Sequence, residues 1–116
     1  MKRIEAIIRQ QRVWAAKEAL AFLGYTDVTE AEVRGHGIQG GVTQQWRGTD
    51  YTVDLLPKSA ITVVVNDDDL DDCVDVIVRA ARTGLIGDGK ILVTPVESVV
   101  RIRTGKHDPQ VRNGAH

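Results

Sequence analysis

Apolar residues along this chain switch between two periods. In "KRIEAIIR", residues 2–9, they partly alternate with charged ones, the spacing of a strand. From Val13 the step lengthens. Val13, Ala16, Leu20 and Leu23 recur every three or four residues and form one face of a helix, with Lys17 and Glu18 off it. Gly24 follows as a left-handed helix stop. "TEAEVRG" alternates weakly and predicts a strand over 29–35. "YTVDLLPK" and "SAITVVVN" are strand-like, and Pro57 between them marks an edge, bend or bulge. "DDDLDDCVDVIVRAARTG" predicts the clearest helix, buried through Leu70, Cys73, Val74, Ile77, Ala80 and Ala81. Asp67 or Asp68 caps it, acids crowd its first turn where the macrodipole favours them, and Gly84 ends it after Arg79 and Arg82. "ILVTPV" and "SVVRIRT" predict the closing strands, and the polar tail from Lys106 is expected to fray.

One stretch fits neither period. "HGIQGGVTQQWRGTDY", residues 36–51, holds four glycines, a tryptophan and a tyrosine with no apolar repeat around them. It reads as a long, flexible, polar loop, a feature that in small domains is either functional or disordered. Without it, the order is strand, helix, strand, strand, helix, strand. Two such halves make an α+β, ferredoxin-like split βαβ sandwich. Its helices cover one face of the sheet. Ile4, Ile8, Val63 and Val65 are read as more apolar surface than that layer can bury, so other copies of the chain are expected to cover the open face.

Bulk properties narrow the picture. With 116 residues and 42% hydrophobic content, the chain fits one domain with one modest core. A net charge of -1 argues against non-specific nucleic-acid binding, which needs a basic face. The lone Cys73 excludes an internal disulfide framework and a cysteine zinc site. Charges at positions 2, 3, 5 and 9 leave no signal-peptide apolar region, and no apolar run approaches the roughly 18 residues of a membrane span. The expectation is a soluble cytoplasmic protein, meeting a membrane only through a partner.

Three places carry candidate chemistry. In "TGLIGDGK", residues 83–90, three glycines free backbone amides for an anion and Lys90 adds a charge. The same residues serve equally as a helix stop and turn, and the lysine leads into a strand, unlike a Walker loop. In "RIR", Arg101 and Arg103 would share one face of a strand and need an anion or acids between them. Lys58 after Pro57 and Gln39 among glycines are weaker candidates. Asp54 and Asp88 read as turn caps or as carboxylates for catalysis or metal. His36 and His107 lack a partner at metal-ligand spacing. Trp46, on the loop, is a candidate partner contact, since buried aromatics anchor interfaces.

These pieces occur together in one family. "KRIEAII", "KEALAFLG", "EVRGHGIQGG", "YTVDLLPK" and above all "AARTGLIGDGKILVTPVESVVRIRTG" resemble the PII signal-transduction proteins that report nitrogen and carbon status, over nearly the whole chain. The resemblance implies a domain over 1–105 with a flexible T-loop at about 37–55, a flexible tail over 106–116, and a homotrimer. It implies ATP or ADP in clefts between subunits, contacted by Thr29, Gly37, Val64, Gly87, Asp88, Gly89 and Lys90, with Arg101 and Arg103 from the neighbouring subunit. It implies 2-oxoglutarate held by Gln39, Gly41, Lys58 and Gly87, Mg²⁺ ligated by Gln39, and Tyr51 at a position that some members have nucleotidylylated. The T-loop would dock into a target: an ammonium channel, metabolic enzyme, transporter or regulator.

The chain also departs from the family pattern. Ile38 stands where Arg is common, Gly40 where Lys is common, Trp46 where Tyr is usual, Thr62 where Glu is usual, and Gln10–Gln11 where Pro-Phe is usual. Losing the Arg and Lys removes two cations from the loop base. A divergent, non-enzymatic regulator is the leading reading. A slow ATPase of the same fold is the second, for which no positioned base is visible. A trimeric structural or metal-binding module is the third.

Overall fold

The computed structural model describes residues 1–33 and 56–111, and the backbone alone of 38–46 and 49–53. Six strands and two helices follow in the order β1 (Lys2–Arg9), α1 (Val13–Phe22), β2 (Thr29–Val33), β3 (Ile38–Trp46), β4 (Thr49–Val53), β5 (Lys58–Val65), α2 (Leu70–Ala81) and β6 (Gly89–Pro95). The main sheet is antiparallel in the order β2-β5-β1-β6. With both helices against one face, this is the ferredoxin-like α+β arrangement.

The core follows from the two-residue period of the strands. Ile4, Ala6 and Ile8 of β1 lie on one face with Ser59, Ile61 and Val63 of β5, paired in register as Ile4↔Val63, Ala6↔Ile61 and Ile8↔Ser59. These residues and Val65 are buried, with Val13, Ala16 and Leu20 of α1 and Cys73, Ile77 and Ala81 of α2. The helix positions expected to be buried are therefore buried or partly so. The four strand residues assigned to an uncovered surface are not there. Ile4, Ile8, Val63 and Val65 all fit beneath the helices, because the alternation puts them on the same side. The open face instead carries Arg3, Glu5, Ile7, Ala60, Thr62, Val64, Leu92 and Thr94, a mixture of charged, polar and apolar groups.

Helix ends show where local signals held. Gly24 (φ 94°) ends α1 in a Schellman motif: its N–H donates to the Ala21 carbonyl at 2.9 Å and that of Tyr25 to the Leu20 carbonyl at 3.0 Å. That turn drives the Tyr25 ring into the core, where its hydroxyl donates to Asp69 (2.5 Å) and accepts from the Asn66 N–H (3.1 Å). Asp67–Asp69 form a 3-10 turn and no side chain caps α2. The Asp67 carboxylate accepts from Lys2 instead (3.1 Å). Helix α2 stops at Ala81 because Arg82 is extended (ψ 131°), before Gly84 is reached.

The remaining expectations fare differently. Strand β2 spans Thr29–Val33, and residues 34–35 lie outside the described residues. The stretch expected to be structureless contains the β3–β4 hairpin, with an irregularity between Ile38 and Val42. A hairpin pairs through its backbone and needs no apolar alternation, so the pattern could not announce it. "SVVRIRT" is not a strand. Val100 meets His107 in a single bridge, the Gly105 N–H donates to the Arg101 carbonyl (2.7 Å), and Gly105 (φ 68°) turns the chain back. Up to residue 111 the tail makes contacts with the body: the Asp108 N–H donates to the Val99 carbonyl, and buried Val111 donates its N–H to Asn66 Oδ1.

Tyr25→Phe removes the acceptor of the Asn66 N–H and the donor to Asp69. It should destabilise the fold by about 1–3 kcal/mol, the range for stranding buried polar groups. Urea denaturation of the two proteins measures this.

Candidate functional site

The glycine loop between α2 and β6 is organised by one carboxylate. Asp88 Oδ2 accepts from the backbone N–H groups of Thr83 and Gly84, both at 2.9 Å. Its Oδ1 accepts from the Thr83 hydroxyl and from Arg9 Nε at 3.3 Å. Arg9 Nη2 also donates to the Ile86 carbonyl at 2.9 Å. Partial desolvation raises the Asp88 pKa, but the bonds from Thr83, Gly84 and Arg9 outweigh it and hold the carboxyl at about 2. Its oxygens are engaged by the loop itself, so what Asp88 gives a ligand is the loop's shape. Gly89 is fixed by contact: a Cβ there would lie 1.8 Å from the Ile7 carbonyl oxygen. No side chain fits at that point of the β1–β6 pair.

The loop delivers Lys90 to the open face of the sheet. Lys90 lies opposite Ile7 and Lys58 opposite Arg9. Ile7 and Arg9 share a face, so three cationic residues gather at one end of it. Arg9 is turned into the loop and buried, whereas Lys90 is exposed. A cavity of about 310 Å³ beside the loop is lined by Asp88, Gly89 and Lys90 and by Val74, Ile77 and Val78 of α2.

A second pocket, of about 180 Å³, lies across the sheet. It brings together Thr29, Val64 and Arg101, with Tyr25 and Asp27, Thr62 and Val63, Val99 and Val111. Thr29 and Thr62 are opposite each other in the β2–β5 ladder, which sets the floor. Arg101 is held by Asp108 through Nε, and its Nη1 lies 4.0 Å from Asp27. Arg103 lines a third hollow, in the turn 99–108. Arg101 and Arg103 therefore do not share a strand face as expected, since both lie in a turn.

Chain-distant residues expected to act together thus fall into two groups. Gly89 and Lys90 line one cavity, and Thr29, Val64 and Arg101 line another. Gly37 lies outside the described residues. So do the side chains of Gln39, Trp46 and Tyr51 and all but the strand backbone of Gly41. Among the described residues, no group of three or more His, Cys, Asp or Glu is placed to hold a metal ion, and no helix is long and apolar enough to cross a membrane.

The family model for "Nitrogen regulatory protein P-II" matches residues 1–106. The chain belongs to the P-II family. It is 53% identical over 106 residues to nitrogen regulatory protein P-II 2 of Methanothermobacter thermautotrophicus, covering 91% of this chain and 92% of that one. It is 53% identical over 108 residues to P-II of Klebsiella oxytoca and to P-II 1 of Escherichia coli K12, covering 93% of this chain and 96% of each relative. This P-II chain is accordingly a signalling regulator.

Sequence reasoning missed Arg9 and Asp27, and it included Thr83 only as part of the glycine stretch. Arg9 and Asp88 are far apart in the chain, and no period links them. Asp27, two residues before Thr29, was visible as a charge in a turn but carried no pattern.

Asp88→Asn should lower stability at pH 7 by about 1.5–3 kcal/mol, the scale of hydrogen bonds to a charged group. The folded pKa lies below the ordinary 3.8, so this contribution is complete above that pH and is lost as pH falls toward about 2. Denaturation curves for the variant and parent should therefore converge over that interval.

Proposed function

We propose that this chain is a non-enzymatic sensor that binds ATP or ADP and 2-oxoglutarate in clefts between the subunits of a homotrimer, and controls a nitrogen- or carbon-metabolism target through the segment 37–55. The observation that carries the reading is the pocket that gathers Thr29, Val64 and Arg101. Apolar walls suit a flat base, and a guanidinium at the mouth suits phosphate. The second half-site is the glycine loop with Lys90, held open by Asp88 and Arg9. One chain lines the two halves separately, which favours a site completed by a neighbouring copy. In that cleft Gly87, Gly89 and Lys90 would receive the phosphates, and Arg101 and Arg103 would reach them from the next subunit.

Lys58 would pair with a carboxylate of 2-oxoglutarate, alongside Gln39, Gly41 and Gly87. Mg²⁺ is a hard cation that takes oxygen ligands, and the Gln39 amide oxygen is of that kind. The remaining ligands would come from the phosphates and from 2-oxoglutarate. Bound there, the ion would tie the two effectors into one coordination sphere. Their affinities would then be coupled, and the coupling reciprocal. Trp46 would contact the target, and Tyr51 is the position open to modification. Ile38 offers phosphate no hydrogen bond, so effector control of the segment would rest on Gln39 and Lys58.

Titration calorimetry with 2-oxoglutarate tests the linkage. Binding should appear with Mg-ATP and be weak or absent without it, and equal binding in both conditions contradicts the proposal. Arg103→Ala should weaken ATP binding by about 1.5–3 kcal/mol with assembly intact, checked by calorimetry and light scattering.

A further inference from the structure

We infer that Asp27 selects the ribose of the bound nucleotide. The inference deepens the reading above and rests on it. Asp27 stands in the turn between α1 and β2, just beyond the Schellman motif that sends Tyr25 inward. It lies at the pocket of Thr29, Val64 and Arg101. Most polar groups around that pocket are engaged. The Tyr25 hydroxyl serves Asp69 and Asn66, the Thr29 hydroxyl is 3.5 Å from the Thr62 carbonyl, and Arg101 Nε donates to Asp108.

Asp27 differs. Its side chain is 69% exposed, and its ion pair with Arg101 Nη1 is at 4.0 Å, the long end of such contacts. A pair that exposed and that long holds the carboxylate weakly. An ionised carboxylate only accepts hydrogen bonds, so the ligand group that matches it is a donor. The adjacent guanidinium asks for an anion. One ligand must therefore carry donors and an anion a few bonds apart, next to a body that fits the valine walls. A ribonucleoside 5′-phosphate has that layout. Its vicinal hydroxyls can both donate to one carboxylate, while the phosphate meets Arg101. The same charge would repel a 2′-phosphate.

The test uses the full chain and compares ATP with 2′,3′-dideoxy-ATP by calorimetry, in the parent, Asp27→Asn and Asp27→Ala. The parent should prefer ATP by about tenfold or more, the scale of one charge-assisted hydrogen bond. Asp27→Ala should lose that preference by weakening ATP while leaving dideoxy-ATP unchanged, and Asp27→Asn should retain part of it. Unchanged melting temperatures would show that both variants fold. A preference that survives Asp27→Ala overturns the assignment. So does a variant that keeps the ribose preference but ceases to distinguish ATP from inosine triphosphate, because Asp27 would then read the base amine. If the parent binds no nucleotide at all, the nucleotide reading itself fails, and that result differs from either of these.

Discussion

Strand β1 is paired along its length on both sides, to β5 and to β6, and the rest of the molecule is arranged by that double pairing. Because side chains alternate, one register decides which residues face the helices and which face outward. Ile4, Ala6 and Ile8 go to the core. Ile7 and Arg9 go to the other face, and they bring Lys90 and Lys58 alongside them. The pairing also explains a glycine. At position 89 the backbone of β6 runs so close to the Ile7 carbonyl that no Cβ fits. The loop before it must therefore close tightly, and it closes around Asp88.

That closure sets the electrostatics of the candidate site. A carboxylate beside a phosphate site would normally oppose binding. Here its charge is met by Arg9 and by donors from Thr83 and Gly84, so the loop holds its shape while Lys90 stays exposed to a ligand. On the other side of the sheet, Arg101 is restrained by Asp108 and more loosely by Asp27. Both halves thus set a carboxylate against an arginine, Asp88 against Arg9 and Asp108 against Arg101.

The sequence disclosed the fold wherever burial imposed a strong period. Helix α2 and strand β5 were legible because their apolar residues recur at one spacing, and Gly24 because a left-handed stop needs glycine. Pattern failed where pairing, not burial, decides the structure. "VVRIR" alternates like a strand, yet Ile102 is fully exposed in a turn with no partner strand among the described residues. The hairpin 38–53 pairs through its backbone with no apolar code. The family resemblance was legible in the motifs, and the match over 1–106 bears out the family. The tie between Arg9 and Asp88, and the place of Asp27, are tertiary facts that neither period nor motif could carry.

In the proposed homotrimer the nucleotide site would be built from two copies, with the glycine loop of one facing Arg101 of the next. Co-expression of Lys90→Ala and Arg101→Ala chains with different tags, followed by isolation of mixed assemblies, tests it directly. Each homogeneous variant should bind ATP poorly. Every mixed trimer must contain one cleft with Lys90 from one chain and Arg101 from another, so calorimetry should recover about one parental-affinity site per trimer, as cyclic symmetry requires. Mixed assemblies that bind no better than the homogeneous variants would place both residues in one subunit's site or in none, and would contradict a site shared between copies.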